Sequence, residues 1–273
     1  MRKSRKAHSR LLLITPPNSY RTLAYLQAAR RLGVDVLVAS EGEHSLVSEI
    51  ASGLHLDLSA AAALERLLEA SREQAFDGVV ATDDTTVELG SRIARALGLP
   101  HNEPGAALAT RRKDLSREAL RNAAVSVPDY RVIDLNADIV DQSSGFAFPC
   151  VVKPVSLSAS RGVIRVNNRD ELLSACARVA AILADGLQGD AYSRSHLLLE
   201  SFVAGPEVAV EGLLYRGEIS VLAIFDKPDP LEGPFFEETY YITPSRHSAV
   251  VQQEIVECVS AACRGMNLRE GPV

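Results

Sequence analysis

The chemistry-bearing residues of this chain cluster in two strands and one loop. Phe148-Pro-Cys-Val-Val-Lys153-Pro154 runs into Val155-Ser156-Leu-Ser158-Ala-Ser160-Arg161-Gly162. An apolar strand that delivers a lysine into a serine- and glycine-rich loop sets a fixed cation beside backbone N–H and hydroxyl donors. That combination holds a polyphosphate, with Arg161 as a second cation. The other strand is Leu197-Leu-Leu-Glu200-Ser-Phe202-Val203-Ala-Gly205-Pro-Glu207. Here Glu200 is suited to accept from an exocyclic adenine amine, the backbone at Phe202 and Val203 to complete the base edge, and Glu207 to hold a ribose. Together the segments predict an ATP site that is not a P-loop. GxxxxGK[ST], HExxH, GxSxG and EF-hand patterns are all missing from the sequence.

Each of these residues also has a plainer reading. A lysine leaving a buried strand either snorkels to solvent or meets an anion, and it is the following loop that favours the anion for Lys153. Glu200 alone is a strand-end carboxylate. Period-two alternation puts Glu207, Ala209 and Glu211 on one strand face and Val208, Val210 and Leu214 on the other. Residues four apart in a strand stand roughly 13 Å apart, too wide for one metal ion, so Glu207 and Glu211 take separate roles and that of Glu211 stays open. Lys113, in Thr110-Arg-Arg-Lys113-Asp114, starts a helix and reads equally as a solvated face. Asp83 and Asp84 read as helix caps. The 226–246 stretch, with Asp226, Lys227 and Phe236-Glu237-Glu238-Thr239, is either a substrate-covering loop or simply a loop.

These residues need elements to position them. The first hundred residues alternate strand and helix: a strand at Leu11–Ile14, a helix over 20–32 with Leu23, Leu26, Ala29 and Leu32 inward and Gly33 as its stop, and a strand at 34–39. A helix with Leu64, Leu67 and Leu68 follows, then a strand at 78–81 and a helix with Val87, Gly90, Ala94 and Leu97 inward. This order predicts a parallel, Rossmann-like sheet, without the GxGxxG that would hold a dinucleotide. Past residue 124 the pattern turns to α+β. Ile164–Val166 reads as the antiparallel return of the Val151 strand, and Asn168-Arg-Asp170-Glu171 as a reciprocal helix cap. Leu172, Cys176, Val179 and Leu183 form one helical face, and Arg216-Gly217 a hairpin turn. A last helix from about 248 places Val251, Ile255, Cys258 and Ala262 inward.

Composition narrows the function. With 273 residues, 47% of them hydrophobic and 23% charged, the chain has the balance of a soluble globular protein. A net charge of -6 excludes a general nucleic-acid binder. No apolar run is long enough to span a membrane. The basic start, with Arg2, Lys3, Arg5, Lys6 and Arg10, reads as a solvated tail rather than a signal, because Leu11–Ile14 is too short for an h-region. Cys150, Cys176, Cys258 and Cys263 lack metal-ligand spacing, so buried, reduced thiols in a cytoplasmic protein are expected.

Taken in order, these features resemble the ATP-grasp superfamily, and within it the carboxylate–amine ligases similar to L-amino acid ligases. Leu13-Ile-Thr-Pro-Pro-Asn-Ser19 and Val80-Ala-Thr-Asp-Asp84 resemble that family's leading domain. Leu97-Gly-Leu-Pro-His-Asn102, Lys113, Phe148–Pro154, the serine loop and Glu200–Glu207 follow in the family's order. The resemblance implies a Rossmann-like pre-ATP-grasp domain over 1–122 and an incomplete ATP-grasp domain over 123–273. It implies that Lys113 and Lys153 bind ATP phosphates and that Ser156, Ser158, Ser160, Arg161 and Gly162 lie in the closing loop. Glu200, Phe202 and Val203 would read adenine, and Glu207 the ribose. The implied reaction is ATP-dependent joining of a carboxylate and an amine through an acyl phosphate, with Mg²⁺. Arg161 and Lys227 are the weak candidates for a catalytic role.

The metal ligands of that family follow a Gly-Pro-Val sequence, which here is Gly271-Pro272-Val273. They are therefore expected beyond Val273, and the chain is expected to be an inactive fragment of a longer enzyme. The resemblance implies small-molecule carboxylate and amine substrates and allows a homodimer, with no nucleic-acid or membrane partner. Two other readings stand beside it: a biotin-carboxylase-like or purine-biosynthetic enzyme, and a nucleotide-binding module without turnover.

Overall fold

Consecutive apolar residues with few polar partners, such as Leu11–Ile14 and Val36–Ala39, can only be satisfied inside a sheet covered on both faces. In the computed structural model they form its centre. The structure describes residues 9–42, 47, 50, 53–59, 62–185, 190–229, 231–236 and 239–273. The basic stretch at 1–8, and Glu237 and Glu238 of the long loop, lie outside the described residues. Two compact units divide the chain, 1–108 and 109–273.

In the first unit, strands β1 (Arg10–Ile14), β2 (Asp35–Ser40), β3 (Gly53–His55) and β4 (Gly78–Ala81) form a parallel sheet in the order β3-β2-β1-β4. Helices α1 (Thr22–Leu32) and α2 (Ala63–Glu73) lie in connections between them, and α3 (Val87–Ala96) follows β4. The core contains Leu12, Ile14, Ala39, Leu67 and Ile93. Gly33 ends α1 in the left-handed conformation, φ 66°, and its N–H reaches the last turn's carbonyls. The inward face of α1 differs from the expected leucine stripe. Thr22 and Ala29 are buried, whereas Leu23 and Leu32 are exposed. Thr22 turns inward because its hydroxyl is hydrogen-bonded to that of Thr15, 2.8 Å away. Asp83 does not cap α3 either, since its carboxylate accepts from the Ser19 and Thr82 hydroxyls, both at 2.8 Å.

Helix α4 (Pro104–Arg111) spans the boundary between the units, and α5 (Lys113–Asn122) belongs to the second. The boundary suggested by sequence texture, 122/123, lies later. The hydrogen bond from the Lys113 N–H to the Val155 carbonyl, 2.8 Å, shows why α5 groups with the residues after it.

The second unit holds two sheets. Strands β5 (Tyr130–Asp134), β6 (Cys150–Pro154), β7 (Ile164–Val166) and β8 (His196–Ser201) form an antiparallel sheet in the order β5-β8-β6-β7. The short helix α6 (Ile139–Gln142) follows β5. Helix α7 (Arg169–Asp185) covers one face of this sheet with Leu172, Cys176, Val179 and Leu183, packed on Cys150, Val152, Leu197 and Leu199. Its start carries the expected cap: the Glu171 N–H donates to Asn168 Oδ1, 3.0 Å, while Glu171 Oε2 accepts from the Asn167 N–H, 2.8 Å. Helix α8 (Ala191–Ser195) leads into β8.

Strands β9 (Glu207–Tyr215), β10 (Glu218–Lys227) and β11 (Gly271–Pro272) form the other sheet, in the order β10-β9-β11. Arg216 and Gly217, at φ 54° and 89°, make the hairpin turn that the sequence predicts. Helix α9 (Ala249–Gly265) presents a face rotated from the expected one: Cys263 is buried and Cys258 exposed.

Candidate functional site

Alternation along β8 sorts its residues. Leu197 and Leu199 enter the core beneath α7, so Glu200 lies on the opposite face. The register aligns Glu200 with Tyr130 of β5 and Val151 of β6, and Lys153, two residues along from Val151, shares that face. Glu200 is 3% exposed. Its Oε2 is in contact with Lys153 Nζ, and its Oε1 accepts from Arg117 Nε at 2.6 Å. A carboxylate so buried is sustained by opposite charges at hydrogen-bonding distance, and here both oxygens have one. The sequence reading expected this carboxylate to accept from an adenine amine; the two cations that meet it here were not part of that reading.

Helical spacing does the rest. Lys113, Arg117 and Arg121 stand four residues apart on α5 and so share one face. Lys113 Nζ donates to the Leu157 carbonyl, 2.5 Å, at the start of the serine loop. Arg117 meets Glu200, and Arg121 lies over the Tyr130 ring at 4.9 Å. One row of cations thus runs from the loop to the edge strand β5. Sequence reasoning named Lys113 and missed Arg117, although the i, i+4 spacing was there to read.

The start of α5 is held by a second group. Arg112 makes two hydrogen bonds to Asp114, 2.8 and 2.6 Å, and its guanidinium lies 4.3 Å over the Tyr192 ring. Tyr192 stacks in turn on His196, with centroids 3.8 Å apart. The bond to Asp114 raises the Arg112 pKa above the ordinary guanidinium value, against the opposing effect of burial. Partial burial pulls the Asp190 carboxyl upward, but hydrogen bonds from Ser193 and the nearby Arg112 charge leave it below the ordinary carboxylate value.

In the serine loop, Ala159, Ser160 and Gly162 all have left-handed backbone, φ 54°, 52° and 73°. Ser158, Ser160 and Arg161 are exposed, and Ser156 is half-buried. The Arg161 N–H donates to the Ser158 carbonyl at 3.3 Å and the Val163 N–H to that of Ser160 at 3.2 Å, so the loop is a pair of linked turns.

A cavity of about 670 Å³ holds Phe202, Glu207 and Lys227 of the remaining predicted residues. Its lining includes Phe202, Glu207, Arg165, Asp226, Lys227 and Arg246. Val203, just past β8, is 69% exposed. The Phe202 N–H is taken by the Pro149 carbonyl at 3.1 Å, and Arg165 lies 4.2 Å over the Phe202 ring. Glu207 opens β9 and pairs with Lys227, its cross-strand neighbour in the register. The Asp226 pKa is lowered, first by the Ser245 hydroxyl and then by the Arg246 N–H, which pin the end of the long loop to β10. Lys113, Lys153 and the serine loop do not line this cavity, so the predicted residues form two groups within the unit. Glu211 is exposed on the same strand face as Glu207. Among the described residues no group of three or more His, Cys, Asp or Glu side chains is arranged to hold a metal ion, and no described helix is long and apolar enough to cross a membrane.

Residues 146–273 match the family model of the ATP-grasp domain, and residues 26–101 that of the ATP-grasp N-terminal domain. The chain belongs to the ATP-grasp superfamily. The crystal structure of an L-amino acid ligase from Bacillus licheniformis is similar over 98% of this chain and 64% of its own, with a TM-score of 0.83 and 27% identity. A D-alanine–D-alanine ligase from Bacillus anthracis complexed with ATP superposes over 96% of this chain and 79% of its own, with a TM-score of 0.63 and 17% identity, a likeness of fold. In sequence, D-alanine–D-alanine ligase B of Pseudomonas putida is 24% identical over 182 residues, which are 64% of this chain and 53% of that protein. This ATP-grasp chain spans about half the length of the D-alanine–D-alanine ligases that it matches in sequence.

Proposed function

We propose that this ATP-grasp chain is the nucleotide-binding portion of a carboxylate–amine ligase acting on amino-acid-like substrates. The observation that carries the reading is the convergence of Lys113, Lys153 and the serine loop on one end of β6, within a fold matching an L-amino acid ligase. Two lysine ammonium groups and the loop's N–H donors suit the phosphates of ATP. Phe202, Val203 and Glu207 suit the nucleoside, with the base edge read by backbone and by the Glu200 carboxylate. Ribose hydroxyls reaching Glu207 would share that carboxylate with Lys227.

In the ligase reaction, a substrate carboxylate oxygen attacks the γ-phosphorus, the bond to the ADP oxygen breaks, and an acyl phosphate forms. The amine then attacks the acyl carbon and inorganic phosphate leaves. The role of Lys113 and Lys153 is to spread the charge of the transferring group, and the role of the loop is to keep water from the acyl phosphate. No side chain of this chain is assigned to Mg²⁺, which would neutralise phosphate charge when bound.

Calorimetry tests the nucleotide site: ATP binding to the 273-residue chain is expected to weaken on Lys153→Ala, and well-folded protein that binds no ATP would refute the assignment. Substrate class is tested by ADP release with amino acids supplied in pairs, using the chain extended by the C-terminal part that its relatives have. Release that depends on bicarbonate alone would instead mark a carboxylase.

A further inference from the structure

We infer that Arg117 is a positioning residue for nucleotide binding: it offsets the charge of Glu200 so that the Lys153 ammonium remains available to phosphate. The inference rests on the reading of Lys153 as a phosphate ligand. Glu200 is the shared partner, with a side chain only 4% exposed, beside Lys153 at 15% and Arg117 at 23%. Paired with Glu200 alone, Lys153 would present a neutral ion pair to an incoming polyphosphate. With Arg117 on the other oxygen the group of three carries one net positive charge. In a site this shielded from water, that difference is felt strongly by an anion nearby.

The placement of Arg117 supports the same role. It stands four residues from Lys113 on α5, one turn further along the same face. The helix that anchors the loop through Lys113 therefore also delivers the counter-charge to Glu200. Arg117 reaches the carboxylate through its Nε, so the contact on which the inference rests is the one with Glu200.

The test compares ATP with adenosine, which lacks the phosphates, by calorimetry on the 273-residue chain and its R117Q, R117K and K153A variants. R117Q is expected to weaken ATP binding about tenfold, the scale of one charge-assisted hydrogen bond, while adenosine binding stays within about twofold. R117K, which keeps the charge, is expected to restore most of the ATP affinity. Arg117→Met, which keeps the apolar stem, replaces R117Q if the latter does not fold. Loss of ATP binding in K153A with none in R117Q or its replacement would overturn the inference while leaving the site in place. Equal losses for ATP and adenosine would make Arg117 structural and also overturn it. ATP binding indifferent to K153A would remove the site reading, and the inference with it.

Discussion

Arg117 and Lys153 hold different oxygens of one carboxylate, that of Glu200, although they come from a helix and a strand well separated in sequence. The pairing ties α5 to the centre of the β5-β8-β6-β7 sheet. It also makes Glu200 the residue on which two partly buried cations depend.

Glu200→Ala is therefore expected to lower the unfolding free energy by about 3 kcal/mol, because both cations lose their counter-charge in a buried setting. Glu200→Gln is expected to cost less, since an amide oxygen still accepts a hydrogen bond. Urea denaturation midpoints of the variants measure this. A loss below about 1 kcal/mol for the alanine variant would rank the group with exposed ion pairs and refute its structural role.

The serine loop makes a separate prediction. At Gly162, φ is 73°, and an added Cβ would stand 3.0 Å from Pro154 Cγ and 3.2 Å from Pro154 Cδ. Gly162→Ala is expected to destabilise the chain by about 1–2 kcal/mol, from left-handed strain and the clash together. Ala159→Gly is expected to be nearly neutral, as relief of the strain at φ 54° is offset by the greater freedom of the unfolded chain. Melting temperatures of the two variants should therefore differ. Equal melting temperatures would show that the loop backbone adjusts without strain.

The parts of this architecture that the sequence displays are those set by local pattern. Alternating apolar runs marked the parallel sheet, and Leu172, Cys176, Val179 and Leu183 marked the buried face of α7. Arg216-Gly217 marked the hairpin, because two residues of positive φ were needed there. What depends on a partner far along the chain was not legible. Asp83 looks like a cap until Ser19 is placed beside it, and nothing local to Glu200 shows that Arg117 and Lys153 reach it. Cys258 fits the helical stripe of α9, yet the face that packs is turned by a fraction of a turn, which periodicity alone does not fix.

The thiols follow from that last point. Cys258 is exposed, while Cys150, Cys176 and Cys263 are buried. Titration of the native protein with a disulfide reagent at pH 8 is expected to release one equivalent quickly, from Cys258, and the other three only in denaturant. Cys258→Ser should abolish the fast phase. A fast phase that survives this substitution would mean that α9 packs with a different face.

Alkaline stability reports on the two thiols between α7 and the sheet, Cys176 on the helix and Cys150 on β6. Burial raises the pKa of Cys150 from 9.0 to about 11, with the neighbouring Cys176 adding to the effect, and burial alone raises Cys176 to about 11. In the unfolded chain both thiols ionise near the ordinary value, so above it the unfolded state binds fewer protons than the folded state. Stability then falls as pH rises. Below about pH 9 both states are protonated and the two groups leave stability unchanged. The loss builds between about pH 9 and 11, and above that range no further change comes from these groups. Urea midpoints measured from pH 7 to 11 should show this decline, and Cys150→Ala with Cys176→Ala should flatten it. An undiminished slope in the double variant would assign the alkaline transition to other groups.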